Sequence, residues 1–213
     1  MMTNRIRGLY AIADTHSLKT AHWINQVAQT LQNGASLLQY RAKDRDPEQK
    51  YWEAMDLLTL CRPLNTPLII NDDIALAKRT QADGVHLGKH DASIQEAREL
   101  LGQDTIIGVS CYNEVARAVV AEQQGANYVA FGRFFPSMSK PDAVQADPAI
   151  LREAKQRIRL PVVAIGGIDQ GNAQSLIDAG ADALAVINGI FNQADIAAAS
   201  QAISQLFTPT KNP

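Results

Sequence analysis

Short apolar runs recur along the chain, each preceded by a glycine or an Ala-Asp-Gly step, as in QNGASLLQY, TQADGVHLG, QQGANYVAFG and DAGADALAVI. A helix that stops at a left-handed residue and feeds a buried strand produces this pattern, because glycine adopts positive φ without the steric cost of a Cβ. Gly34, Gly125 and Gly180 are the expected stops. Strands are predicted at 8–14, 36–41, 67–71, 84–87, 106–110, 128–131, 161–165 and 183–187. They are short and mostly apolar, as strands covered on both faces should be. Between them the spacing turns helical. In NEVARAVVAEQQ, Val115, Ala118, Val119 and Glu122 recur at separations of three and four, and Asn113 stands where it can cap the start.

Alternating strand and helix, with right-handed parallel connections, closes most economically as a (β/α)8 TIM barrel. An open doubly wound sheet is the competing architecture, but the dinucleotide fingerprint it usually carries after its first strand is missing. No linker, low-complexity tract or charge run marks a second domain, so residues 1–207 are expected to form one barrel, with TPTKNP at 208–213 a disordered tail.

A hydrophobic content of 46% over 213 residues suffices for one sizeable core. The net charge of -2 is spread over both signs, which argues against nucleic acid or an anionic membrane as partner and for a small ligand. The apolar runs are too short for a membrane span, and the start MMTNRIR has no apolar signal segment, so a cytoplasmic location is expected. Cys61 and Cys111 have no disulfide framework or metal-ligand spacing and read as buried thiols.

Barrel active sites gather at the C-terminal ends of the strands, and polar residues cluster there in this chain. Asp14 ends the first strand; Gln39, Arg41 and Lys43 the second; Asn71, Asp72 and Asp73 the third. His86 ends the fourth with Asp91 shortly after, Ser110 the fifth, and the loop GRFFPSMSKPDA follows the sixth. Arg41, Lys43 and Lys140 bring positive charge, Asp72 and Asp91 bring carboxylates, and Ser110, Ser137 and Ser139 bring hydroxyls. Such a mixture suits a polyphosphate with a hard cation, since Mg2+ is usually held by one or two carboxylates plus phosphate oxygens. The plainer alternative has Asp72 capping the helix near Ile74 while Arg41 and Lys43 form internal salt bridges.

Glycines and backbone amides after strands seven and eight, in AIGGID and AVINGIF, offer a second phosphate seat where barrels commonly have one. Gly166 and Gly167 would let the backbone approach an oxygen, and a helix starting after Asn188 and Gly189 would add a favourable dipole. Ordinary turn glycines are the alternative there.

The motifs QYRAKD, IINDD, DGVHLGKHD, IIGVS, FFPSMSKPDA and VVAIGGI occur in the order seen in the thiamine phosphate synthase family, which the chain resembles from about Leu9 to Phe191. The resemblance implies a transferase. It would join a hydroxymethylpyrimidine diphosphate to a thiazole phosphate, simple or carboxylated, releasing pyrophosphate with Mg2+ on a (β/α)8 barrel. It assigns Gln39, Arg41, Lys43 and Asn71 to the pyrimidine diphosphate and Asp72 and Asp91 to the metal. Ser110 and Lys140 would face the leaving pyrophosphate, with Arg41 and Lys43 assisting its departure. Ser137 and Ser139 would contact the thiazole phosphate side, and Gly167, Ile187 and Asn188 would form the second phosphate cradle. This chain departs from the family pattern at Arg133, where proline is commoner, at Asn188, where serine is usual, and in carrying Ser137 and Ser139 where threonine is common. His86 is open between a ligand contact and a satisfied strand-end histidine. A thiazole tautomerase would not need Asn71, Asp72, Asp91 and Lys140 together, and a non-catalytic precursor-binding barrel would bind without turnover. Assembly into a homo-oligomer is left open.

Overall fold

The computed structural model describes residues 6–18, 20, 22–136 and 144–208. Eight parallel strands, β1 (Gly8–Asp14), β2 (Ala35–Arg41), β3 (Leu68–Asn71), β4 (Gly84–Leu87), β5 (Ile106–Tyr112), β6 (Tyr128–Phe131), β7 (Val162–Ile165) and β8 (Ala183–Val186), close into a barrel in sequence order. β8 returns to pair with β1. Strand positions agree with the expectation to within a residue or two. β5 runs on to Tyr112, and β8 stops at Val186 because Ile187 turns into a short helix. The tail from 209 onward lies outside the described residues.

Helices α1 (Trp23–Gln32), α2 (Pro47–Cys61), α3 (Ile74–Thr80), α4 (Ile94–Leu101), α5 (Val115–Gln123), α6 (Ala149–Arg157), α7 (Ala173–Asp178), α8 (Asn188–Phe191) and α9 (Ile196–Gln205) alternate with the strands. Local chemistry sets several starts. The Asp46 carboxylate caps α2 by accepting from the Gln49 amide at 2.9 Å, with Pro47 in the first turn, and Ser93 and Glu96 form a reciprocal capping box on α4. The α5 start differs from expectation. Glu114, not Asn113, precedes it, and neither side chain caps it, so packing of Val115, Ala118 and Ala121 must hold this end. Gly34, Gly125 and Gly180 do take positive φ after their helices.

Period-two alternation divides every strand between two cores. Leu9, Ala11, Leu38, Ile70, Val85, Ile107, Val129 and Leu184 point outward to the helices, whereas Tyr10, Ile12, Leu37, Ile69, Ile106, Tyr128, Val163 and Ala185 fill the barrel. Gly108 makes room for one of these. A Cβ there would lie 2.0 Å from Cζ of Tyr128, its register partner on β6. Among the described residues no helix is long and apolar enough to cross a membrane.

Candidate active site

A cavity of about 420 Å³ is lined by residues from the C-terminal ends of the strands and from the loops that follow them. On one side the inward column of each strand ends in polar groups: Asp14, Gln39 and Arg41, Asn71, His86, and Ser110 with Tyr112. On the other side the columns of β6, β7 and β8 continue apolar through Ala130, Ile165 and Ile187, and the loops beyond contribute Gly166, Gly167, Asn188 and Gly189. Of the residues expected from sequence, Gln39, Arg41, Asn71, Ser110, Gly167, Ile187 and Asn188 line this one cavity. Ser137, Ser139 and Lys140 lie outside the described residues.

Arg41 and Asp14 are register partners on β2 and β1, and Nη1 of Arg41 donates to Oδ2 of Asp14 at 2.9 Å. The buried aspartate therefore holds the guanidinium at the cavity wall, while the rest of its five donors remain for other work. Lys43 pairs with Asp72, Nζ to Oδ2 at 3.2 Å, from a loop stapled behind it by the Arg45–Glu53 ion pair and the Thr15–Asp44 hydrogen bond. Both cations thus make the salt bridges foreseen in the plainer alternative. The capping role foreseen for Asp72 falls instead to Asp73, whose carboxylate accepts from the Leu76 amide at 2.8 Å.

Released from capping, Asp72 occupies the left-handed region at φ 64°, which aspartate tolerates better than most residues. Its amide donates to the carbonyl of His86 at 2.8 Å, pinning the turn to β4. Asp91 reaches back toward it: Oδ2 accepts from the Gly88 amide at 2.7 Å, and its carboxyl lies within hydrogen-bond reach of Asp72. Burial first, and Asp72 next, raise the Asp91 carboxyl above the usual carboxylate range. Two carboxylates facing each other beside Lys43 form an oxygen-donor pair that a hard dication would relieve of its repulsion. Lys43, Asp72 and Asp91 stand beside the cavity rather than in its lining, with Asn71 joining the two. Among the described residues no group of three or more His, Cys, Asp or Glu could hold a metal by itself.

On the opposite side, backbone replaces side chains. Gly167 has φ 66°, and a Cβ would lie 2.3 Å from the carbonyl oxygen of Pro136, while one on Gly189 would lie 2.1 Å from that of Ile168. The glycines are required because loops 6, 7 and 8 pack backbone against backbone here, a reason beyond ligand approach. Nδ2 of Asn172 donates to the Gly167 carbonyl at 2.9 Å and fixes the turn. α8 begins at Asn188; the amides of Ile190 and Phe191 donate to the Ile187 carbonyl, whereas those of Asn188 and Gly189 precede the first helical bond.

Along the cavity wall runs a feature that residue-by-residue reading missed. Nε2 of Gln39 donates to the Tyr10 hydroxyl at 2.8 Å, which bonds the Tyr128 hydroxyl at 2.7 Å. The Tyr128 hydroxyl meets Nδ1 of His86 at 2.9 Å, and Nε2 of His86 meets Oγ of Ser110 at 2.9 Å. Burial raises both tyrosine hydroxyls well above their usual range, so they are neutral. The available signal was parity: Tyr10 and Tyr128 occupy inward positions of their strands. Cys111, by contrast, points outward into the helical core, and burial pushes its thiol up to about 12.

Parallel (β/α)8 barrel enzymes carry their active sites at this end of the strands, frequently with a phosphate site in the loops after β7 and β8, and the cavity places this chain among them. Residues 9–190 match the profile of the thiamine monophosphate synthase family. The chain belongs to that family. It is 54% identical over 206 residues to a thiamine-phosphate synthase of Nitrosococcus oceani, covering 97% of this chain and 95% of that protein. It is 50% identical over 202 residues to one from Methylobacillus flagellatus, covering 95% and 96%. A solved structure of thiamine phosphate pyrophosphorylase from Pyrococcus furiosus superposes with a TM-score of 0.87 at 31% identity, covering 97% of this chain and 98% of that one.

Proposed function

We propose that the protein condenses an aminopyrimidine carrying a diphosphooxymethyl group with a thiazole phosphate, giving thiamine phosphate and pyrophosphate. The observation that carries this reading is the division of one cavity. Cation, amide and hydroxyl side chains on β1 to β5 suit a diphosphate, an apolar strip from Ala130, Ile165 and Ile187 suits flat rings, and the glycine loops suit a second phosphate. Family membership supports the same chemistry.

In the proposed reaction the bond between the methylene carbon and the diphosphate oxygen breaks ahead of attack by the thiazole nitrogen. The bonding pair leaves with pyrophosphate, and the nitrogen lone pair forms the new C–N bond. Arg41, Asn71, Lys43 and Ser110 would bind the diphosphate and offset the charge that grows on its departing oxygen. Lys140, Ser137 and Ser139 keep the roles expected from sequence, Lys140 beside the pyrophosphate and the two serines beside the thiazole phosphate. Asp72 and Asp91 would hold Mg2+, which supplies Lewis-acid stabilisation of the leaving group when bound. Gly167, Ile187 and Asn188 would seat the thiazole phosphate. No side-chain nucleophile is needed, and Cys111 faces away from the cavity. A cytoplasmic location fits such an enzyme.

The test is pyrophosphate release and thiamine phosphate formation by the purified protein given both substrates, first with Mg2+ and then with EDTA. Product that depends on metal supports the reading. Tight substrate binding without turnover would replace it with a precursor-binding role, and thiazole isomerisation without diphosphate would replace it with a tautomerase.

A further inference from the structure

Five polar side chains on five strands form one hydrogen-bonded line across the barrel: Gln39 on β2, Tyr10 on β1, Tyr128 on β6, His86 on β4 and Ser110 on β5. Tyr10 and Tyr128 are almost wholly buried, so the protons of both hydroxyls must find their acceptors within protein. Counting protons along it gives the line a direction. The Gln39 amide donates to Tyr10, so the Tyr10 oxygen is an acceptor there and its own proton goes to the Tyr128 oxygen. Tyr128 has then accepted once, and its proton goes to Nδ1 of His86. An imidazole that accepts at Nδ1 carries its proton on Nε2, and that proton goes to Oγ of Ser110. Ser110 has then accepted, so its hydroxyl proton is directed away from the line, and Ser110 lines the cavity.

The opposite polarity fails on the same count. Were Ser110 to donate to His86 and His86 to Tyr128, the Tyr128 proton would pass to Tyr10, and Tyr10 would receive two protons while its own had no acceptor in the line. A buried hydroxyl without an acceptor costs more than the bond it forgoes gains. Ring packing keeps the line in place. Tyr10 and Tyr128 meet edge to face at 5.9 Å, and His86 stacks on Tyr128 at 5.5 Å, in the space left by Gly108.

We infer that Tyr10, Tyr128 and His86 are positioning residues that make Ser110 a one-way hydrogen-bond donor to the anionic group in the cavity. A free serine hydroxyl donates or accepts as its surroundings demand. Here the orientation is set before the ligand arrives, and a preset donor needs no reorganisation as negative charge grows on a leaving oxygen. The catalytic half of this inference rests on the reaction proposed above; the polarity of the line does not.

Two measurements test it. Nitrogen-15 NMR of histidine-labelled full-length protein, with the His86 signals identified by their loss in H86Q, reads the tautomer without any substrate. A proton on Nε2 and an acceptor Nδ1 are expected, and a proton on Nδ1 would overturn the inference. Pyrophosphate release then compares Tyr128→Phe in the wild-type and S110A backgrounds. The substitution is expected to lower kcat about tenfold in the first and less than about twofold in the second, because its effect passes through the serine hydroxyl. Equal losses in both backgrounds would make Tyr128 a packing residue only and would also overturn the inference. Protein that shows the expected tautomer but no synthase turnover would sink the reaction assignment and, with it, the catalytic half of the inference.

Discussion

The two sides of the cavity are built by different means. From β1 to β5 the strand ends and the loops just after them carry side chains held by one another, Arg41 by Asp14 in the cavity wall and Lys43 by Asp72 beside it. From β6 to β8 the inward-facing columns end in Ala130, Ile165 and Ile187, and the loops beyond them present glycine-bearing backbone. A side-chain site can carry full charge and a metal, and each group can be removed singly. A backbone site offers partial charges that no substitution deletes, so it is altered only by adding a Cβ or changing a loop. The division suits a reaction in which one phosphate group departs and the other is merely held.

The largest effect should come from the side-chain half. Asp91→Asn is expected to lower turnover by about 100-fold at ordinary Mg2+ and to leave a weakened metal dependence, read from pyrophosphate release against metal concentration. Wild-type kinetics in this variant would take the carboxylate pair out of the metal assignment. Next comes the seam between the halves. Gly108→Ala places a methyl against the fully buried Tyr128 ring and should cost about 2 kcal/mol, a fall of roughly 4–8 °C in Tm. An unchanged melting curve would mean that the ring has room to yield.

In the backbone half a side-chain deletion should matter less. Asn188→Ala is expected to raise KM for the thiazole phosphate about fivefold with kcat nearly unchanged, the signature of lost binding shared by ground and transition states. A loss comparable to that of Asp91→Asn would erase the contrast between the halves. The smallest effect tests the strand faces themselves. Because burial raises the thiols of Cys61 and Cys111 to about 12, the thiolate fraction at pH 8 is far below that of a free cysteine, and native protein should resist a disulfide reagent that labels the unfolded chain fully. Rapid labelling of the native protein would show that Cys111 does not face the helical core.

Much of this arrangement was legible in the residues. Strand positions followed from apolar runs bounded by helix-stopping glycines, and polar residues at one end of nearly every strand marked the mouth of a barrel. Helix starts were less legible. Asn113 is the better cap before α5, yet the helix starts after Glu114 and neither side chain caps it. Asp72 and Asp73 are chemically identical, so only backbone geometry could assign the cap to Asp73 and leave Asp72 beside Lys43.

By itself, the sequence determined the order of the elements, the closed parallel sheet and most of the residues at the cavity, because periodicity and glycine placement act locally. Tertiary structure decided which of those residues share protons and charges. Arg41 meets Asp14 through strand register, and Tyr10 meets Tyr128 across the barrel although 118 positions separate them. Such partnerships depend on closure of the sheet, which sets the distance between strands far apart in the chain and leaves no trace in the spacing along it.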